Sequence, residues 1–234
     1  MIFTKAVTVE IDGKKILNSI SYQFNKGHIY GIIGPNGAGK TTYLKVLSGF
    51  LKPAEGMVYF QDKPVTKPQR NIAVVWQKPY LLQTSVYLNV AYGLKVRDMS
   101  KNKIDKHVSE ILDLFQISHL AKQKAASISG GESAKVAIAR AVITSPDLLI
   151  LDEPTASLDP QSVLDIEEII MNLKEKYNMT ILFVTHNMFQ AKRIADVTLF
   201  FYRGQLIEGQ PTDQLFSTPL NELTRNFISE ESFY

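Results

Sequence analysis

Residues 34–42 read GPNGAGKTT, with three glycines, a proline and an asparagine directly before Lys40, Thr41 and Thr42. Helices and strands both penalise such a run, whereas a backbone that must wrap closely around something needs it. HIYGII (28–33) is apolar enough for a buried strand, and TTYLKVLSGF (41–50) has leucine and valine at helical spacing. Strand, glycine-rich turn and helix are the setting of a phosphate-binding loop, whose G-x-x-x-x-G-K-[ST] pattern is met by Gly34, Gly39, Lys40 and Thr41. In that setting the amides of residues 36–42 converge on an anion at the start of a helix. Lys40 then reaches the outer phosphates, the Thr41 hydroxyl sits on Mg²⁺, and Thr42 helps to hold the inner phosphates of a nucleoside triphosphate.

A phosphate loop needs acidic help. LLILDEP (148–154) is an apolar strand that delivers Asp152 and Glu153 at its end, where ligands collect in parallel sheets. Asp152 is read as orienting the metal's water shell. The strand's pleat is expected to aim Glu153 differently, at the attacking water. Gln77 follows the strand NIAVVW and can touch metal and water, while His186 follows TILFVT and can donate to a γ-phosphate. Each of these alone is an ordinary turn or cap residue; a phosphate loop in the same chain gives them a shared task. His28, His107 and His119 have no such setting and are read as structural or surface groups.

These residues must be carried by a folded frame, and composition permits one. A chain of 234 residues fits one domain and buries roughly 70% of its extended surface. It contains no cysteine, which excludes thiolate metal sites and thiol nucleophiles. Twenty-six basic against twenty-three acidic residues leave a formal charge of +3, read as a solubilising surface. The start lacks the apolar segment of a signal peptide, and no run of eighteen apolar residues occurs, so any membrane crossing is expected from another subunit.

AVTVEI, SISYQF and HIYGII read as early strands, followed by GMVYF and NIAVVW on either side of the polar, twice-prolyl QDKPVTKPQR. From Ser85 to Ala126 the pattern is helical; its lysines, interleaved with Asp98, Asp105, Glu110 and Asp113, indicate a solvated face and no direct nucleic-acid contact. DLLILD and TILFVT are short continuous apolar runs, and PQSVLDIEEIIMNLKEKY between them places Val163, Ile166, Ile170, Leu173 and Tyr177 on one helix face. VTLFFYRGQLIEG reads as a hairpin and PTDQLFSTPLNELTRNF as a helical tail. The expected class is α/β, a P-loop core with a mostly parallel sheet covered on both faces. One domain over 1–234 is expected, with a helical insertion at about 80–145 and a helical tail over 211–234.

ISGGE (128–132) opens the alanine-rich helix SAKVAIARAV. Ser129 and Glu132 fit a capping box, but a capping box does not need the two glycines, Gly130 and Gly131. A second helix start with exposed N–H groups makes a second anion site, which one phosphate loop cannot fill.

With that stretch the chain resembles the ATP-binding-cassette (ABC) ATPases. The resemblance makes Gly34, Pro35, Asn36, Gly37, Ala38, Gly39, Lys40, Thr41 and Thr42 the nucleotide loop, Gln77 the Q-loop residue and ISGGE the signature. LLILDEP becomes the Walker B strand, SLD (157–159) the D-loop and His186 the switch histidine, all in family order over about residues 1–215. The fold it implies adds an N-terminal antiparallel β subdomain and an inserted α-helical subdomain. It also implies a head-to-tail homodimer that buries two ATP and Mg²⁺, each ATP lying between one copy's phosphate loop and the other's Ser129, Gly130, Gly131 and Glu132. Asp159 communicates between the two sites, and Gln77, Asp152 and Thr41 serve the metal. The segment after Gln77, around Pro79 to Tyr87, is the expected seat of a membrane permease.

Two departures stand out. The family's fifth signature residue is glutamine, and Glu132 adds a charge near the partner's ATP. The adenine-stacking aromatic falls near Ile11, leaving Phe3 or another ring as the alternative. A single cassette without membrane spans, zinc modules or coiled coils favours an importer subunit at the cytoplasmic face of a bacterial membrane, working with permease subunits and an extracytoplasmic solute-binding protein. An exporter, or a soluble cassette acting on nucleic acid or ribosome, is the alternative. Residues 184–219 resemble oxyanion importers of the tungstate and phosphate groups, and residues 77–97 lean toward tungstate or molybdate.

Overall fold

The computed structural model describes residues 1–78 and 80–231, the side chains of 230 and 231 excepted. The chain begins with β1 (Ile2–Ile11) and β2 (Lys14–Phe24), joined by a turn at Asp12 and Gly13, both at positive φ. Then come β3 (Ile29–Ile33), α1 (Lys40–Leu47), β4 (Glu55–Phe60), β5 (Lys63–Pro64) and β6 (Ile72–Val75). Three helices follow, α2 (Val86–Lys95), α3 (Lys101–Leu114) and α4 (Gly130–Val142). The second half runs β7 (Leu148–Asp152), α5 (Pro160–Tyr177), β8 (Thr180–Val184), α6 (Met188–Ile194), β9 (Val197–Tyr202), β10 (Gln205–Pro211), α7 (Thr212–Ser217) and α8 (Glu222–Glu231).

Two sheets result. An antiparallel one has the order β2-β1-β4-β5; the other has the order β10-β9-β3-β8-β7-β6 and is parallel except for the hairpin β9–β10. Every residue of β3, β7 and β8 is buried, as continuous apolar runs require when both sheet faces are covered. The core divides accordingly. On one face Ile29, Leu149, Leu151, Ile181 and Phe183 pack with the helices α2 to α6. On the other, Ile32, Ile150, Leu182 and Val184 pack with α1 and the antiparallel sheet. The fold is thus the α/β class expected, with the N-terminal antiparallel sheet in place.

Some local expectations need correction. The stretch from Ser85 to Ala126, expected to be helical, divides into α2, α3 as far as Leu114, a left-handed Gln116, and 3₁₀ turns at Ser118–Leu120 and Ala125–Ser127. In α5, Ile166, Ile169, Ile170 and Leu173 are buried, but Tyr177 is 44% exposed. The helix ends there, because Asn178 adopts the left-handed C-cap conformation, and the last turn overhangs the core. The expected tail holds two helices, α7 and α8; residues 232–234 lie outside the described part. Buried Glu208 accepts N–H bonds from Leu220 and Asn221 just before α8, and Phe227 stacks on Phe200 at 4.9 Å.

The placement of α6 rests on a charge pair. Glu167, 3% exposed on α5, accepts two bonds from the Arg193 guanidinium, at 2.9 and 2.7 Å. This pairing holds the Arg193 pKa above its ordinary value. Removing the arginine leaves a buried carboxylate without its partner, which is more costly than losing a surface ion pair. Arg193→Met is expected to destabilise the fold by about 2 kcal/mol, discounted for the half-exposed guanidinium. Denaturant unfolding checks this, and adding Glu167→Gln should recover part of the loss.

Candidate active site

The phosphate loop spans the end of β3 and the start of α1. Gly34 has φ 141°, and a Cβ there would lie 2.0 Å from the Phe201 carbonyl oxygen, so only glycine lets the loop leave the sheet at this point. Gly39, left-handed at φ 97°, is the N-cap of α1. Lys40 is buried and folds back over the loop, donating to the carbonyls of Gly34 at 2.6 Å and Pro35 at 2.9 Å. Burial pulls its pKa down, while the carboxylates of Glu153 and Asp152 push it up. An ammonium resting on two loop carbonyls beside the charges of Glu153 and Asp152 is placed to receive an anion at the loop.

Thr41 donates its hydroxyl to both oxygens of Asp152, at 3.1 Å each. Burial raises the Asp152 pKa and the neighbouring Glu153 adds to this; the Thr41 hydrogen bond and the charges of Lys40 and Lys45 oppose it. A hydroxyl and a strained buried carboxylate, both hard oxygen donors, suit Mg²⁺, which takes few protein ligands and completes its shell with phosphate and water. In keeping with so sparse a donor set, the described residues contain no group of three or more His, Cys, Asp or Glu that could hold a metal ion.

Glu153 differs from its expected geometry. The strand pleat does not direct it: β7 ends at Asp152, and Glu153 is left-handed at φ 50°. Its N–H still donates to the Val184 carbonyl, and its own carbonyl accepts from Ala156, so the chain turns sharply there. Such a conformation is strained for a glutamate and persists only when its surroundings impose it. The surroundings are the other two expected residues. Gln77 Nε2 donates to Glu153 Oε2 at 2.7 Å, and His186 Nε2 lies 2.5 Å from Glu153 Oε1.

Parallel register explains the meeting. Val75 is level with Leu151, and Asp152 with Val184, so Gln77 and His186, two residues beyond their strand ends, and Glu153, one residue beyond its own, meet at one rim. Sequence reasoning did not single out Thr155 and Gln190, which connect the segments bearing Glu153 and His186: Thr155 donates to Gln190 Oε1 at 3.2 Å. No local pattern marked them, since His186 lies outside α6 and a glutamine on so short a helix is inconspicuous until its burial is known.

The ISGGE stretch forms the capping box at the start of α4. Ser129 Oγ accepts from Glu132 N–H at 3.3 Å, and Glu132 Oε2 accepts from Ser129 N–H at 2.7 Å. These bonds hold the Glu132 pKa below its ordinary value, with His119 and Lys135 assisting. The second glycine has a packing reason: a Cβ on Gly131 would lie 2.3 Å from Ser162 Oγ on α5. Gly130 has no such constraint, since its Cβ would meet only Leu158 Cδ2 at 3.6 Å. Asp159 caps α5, accepting from the Ser162 N–H and hydroxyl, which lowers its pKa.

A cleft of about 380 Å³ opens between these parts, lined by Trp76, Gln77, Gly130, Pro154, Ser157 and Leu158 among others, and by none of residues 34–42. Phe3 is stacked on Tyr59 at 4.6 Å, and Ile11 is 45% exposed at the end of β1. Of the expected permease seat, Tyr80 is 77% exposed and Pro79 lies outside the described residues.

The family model for the ABC transporter matches residues 17–156, more than half of the chain. The chain belongs to the ABC transporter family. Within it, the chain is similar to the tungstate uptake system ATP-binding protein TupC of Peptoclostridium acidaminophilum, at 43% identity over 84% of this chain and 92% of that protein. It is 37% identical to the phosphate import ATP-binding protein PstB 2 of Natronomonas pharaonis, over 95% of this chain and 84% of that one. Among solved structures it resembles cbiO1 from Clostridium perfringens, part of the transporter complex cbiONQ, with a TM-score of 0.87, 29% identity and coverage of 93% and 90%. It also resembles the dimeric post-hydrolysis state of the ATP-binding cassette MJ0796 bound to ADP and Pi, with a TM-score of 0.82, 26% identity and coverage of 91% and 99%. No helix among the described residues is long and apolar enough to cross a membrane.

The capping box makes a prediction independent of catalysis. Ser129→Ala is expected to lower stability by about 1 kcal/mol, with thermal unfolding as the check. Glu132→Gln, which keeps the side chain's acceptor, should cost less.

Proposed function

We propose that the chain is the ATP-hydrolysing subunit of an oxyanion importer and that Glu153 is its general base. The observation that carries the reading is the Glu153 carboxylate, gripped by Gln77 and His186 beside the Thr41–Asp152 pair. Bound Mg²⁺ would neutralise phosphate charge, held by Thr41 and Asp152 with Gln77 at its edge. Residues 34–42 bind the triphosphate through backbone amides. On substrate binding Lys40 exchanges its two loop carbonyls for the outer phosphates. Glu153 accepts a proton from the attacking water, a task for which a carboxylate unencumbered by metal is suited. Asp152 is the poorer base, because a cation beside it stabilises the charge it would have to give up. His186 donates toward the γ-phosphate, and Gln77 fixes the second carboxylate oxygen.

The head-to-tail homodimer belongs to the same proposal. Ser129, Gly130, Gly131 and Glu132 then face the other copy's ATP, with Asp159 between the sites; the dimeric relative holding ADP and Pi supports this arrangement. The helices within 80–145 are the moving unit that carries the signature. Exposed Tyr80 and a cleft of about 230 Å³ lined by Trp76, Tyr80 and Arg140 are the proposed permease seat, at the cytoplasmic face of a bacterial membrane. Tungstate or molybdate is the first reading of the solute, from the TupC likeness, with an extracytoplasmic binding protein delivering it. Phosphate is the second, from the PstB likeness over nearly the whole chain. Solute-stimulated hydrolysis in proteoliposomes holding the cognate permease and binding protein separates the two.

Glu153→Gln should bind ATP, accumulate a closed ATP-loaded dimer and lose nearly all turnover. Asp152→Asn should instead raise the Mg²⁺ requirement and weaken productive nucleotide binding. Nucleotide binding and dimer mass, measured on both variants across a Mg²⁺ titration, distinguish them. Near-normal turnover in Glu153→Gln removes the general-base assignment.

A further inference from the structure

Gln190 is fully buried on α6, yet its side-chain amide is only half used. Oε1 accepts the Thr155 hydroxyl at 3.2 Å, while Nε2 has no hydrogen-bond partner among the described residues. A buried donor left unpaired opposes folding, and a methionine of similar shape would avoid that loss. A buried amide with an unmet donor therefore calls for a reason other than stability.

Its position supplies one. The Gln190 N–H donates to Asn187 Oδ1 at 3.0 Å, and the Asn187 N–H donates to Thr185 Oγ1 at 3.0 Å, so Gln190 is knitted to the residues flanking His186. Through Thr155 it also holds the turn that begins at Glu153. That turn contains two left-handed non-glycine residues, Glu153 at φ 50° and Ser157 at φ 65°, and it runs directly into Asp159. Glu153 is thus gripped twice from the β8–α6 side: by His186 at its carboxylate, and by Gln190 two residues further along its backbone.

We propose that Gln190 is a positioning residue for ATP hydrolysis, which sets the Glu153 turn through Thr155 and completes its hydrogen bonding when nucleotide closes the site. The inference rests on the reading of Glu153 as general base. The Nε2–H, for which the described residues offer no acceptor, would take a carbonyl of the turn that it already touches through Thr155. The link also joins the segment bearing His186 to the segment ending at Asp159, so the γ-phosphate contact and the path to the second site respond together.

The test compares Gln190→Met, Thr155→Val, Thr155→Ser and the Gln190→Met/Thr155→Val double variant, with Glu153→Gln as control. Steady-state hydrolysis, ATP binding and thermal unfolding are measured on each full-length protein. Gln190→Met should unfold at or above the parent's temperature and keep KM and ATP affinity within about twofold, while kcat falls about tenfold or more. Thr155→Val should show a similar fall, the double variant no further fall, and Thr155→Ser should keep kcat within about threefold of the parent. A purely structural role moves the unfolding temperature and leaves kcat of the folded protein unchanged, which overturns the proposal. Fold-changes that multiply in the double variant overturn it as well. If Gln190→Met does not fold, the Thr155 pair decides, since Val and Ser there test the same link outside the core. If Glu153→Gln hydrolyses normally, the general-base reading fails and this inference with it. If Glu153→Gln is inactive while Gln190→Met is normal, only this inference fails.

Discussion

Glu153 combines a left-handed backbone conformation with a carboxylate fixed from both sides, by Gln77 at 2.7 Å and His186 at 2.5 Å. These three residues come from the ends of β6, β7 and β8, which lie side by side in the parallel sheet. The arrangement depends on register. A slip of one residue between parallel strands would turn each side chain to the opposite face and separate the carboxylate from both partners. Full burial of β7 and β8 opposes such a slip, since it would expose or overpack residues such as Leu149, Leu151, Ile181 and Phe183 on one face. Hydrophobic packing deep in the core thus fixes polar geometry at the rim. The strain at Glu153 is sustained by the same packing.

Around that rim the molecule keeps its charges in unsettled states. Lys40 is desolvated and occupied with its own loop carbonyls. Asp152 has a raised pKa and only a threonine hydroxyl for close company. Both arrangements would be improved by a triphosphate and the proposed divalent cation, a physical reason for the loop to take the two together. The signature is the opposite case. Glu132 already satisfies the Ser129 N–H and lowers its own pKa in doing so. In the proposed dimer a second copy's nucleotide would approach a helix start that carries a carboxylate of its own, whose charge Lys135 partly offsets.

Much of this was legible in the sequence. Continuous apolar runs gave the parallel strands, the glycine spacing gave the phosphate loop, and Ser129 and Glu132 gave the capping box. Four things were not legible, each for a physical reason. Strand periodicity says where a side chain points only while the strand lasts, so it could not show Glu153 leaving the strand in a left-handed turn. Helical spacing grouped Tyr177 with the buried face, but burial depends on how far the neighbouring strands extend beneath the last turn. Gly131 suggested an anion site, whereas its close approach to Ser162 is a tertiary contact that no local pattern contains. Gln190 was overlooked because a glutamine on a short helix carries no signal until its burial is known.

The most direct test of the account is a crystal structure of the protein with ADP, Mg²⁺ and a trigonal phosphoryl analogue. The account predicts a two-copy assembly with an in-line water hydrogen-bonded to Glu153. His186 should contact the analogue, and Ser129 of the second copy should lie opposite the phosphate loop. An in-line water held by Asp152 or His186, with Glu153 turned away and beyond hydrogen-bonding reach, would contradict it.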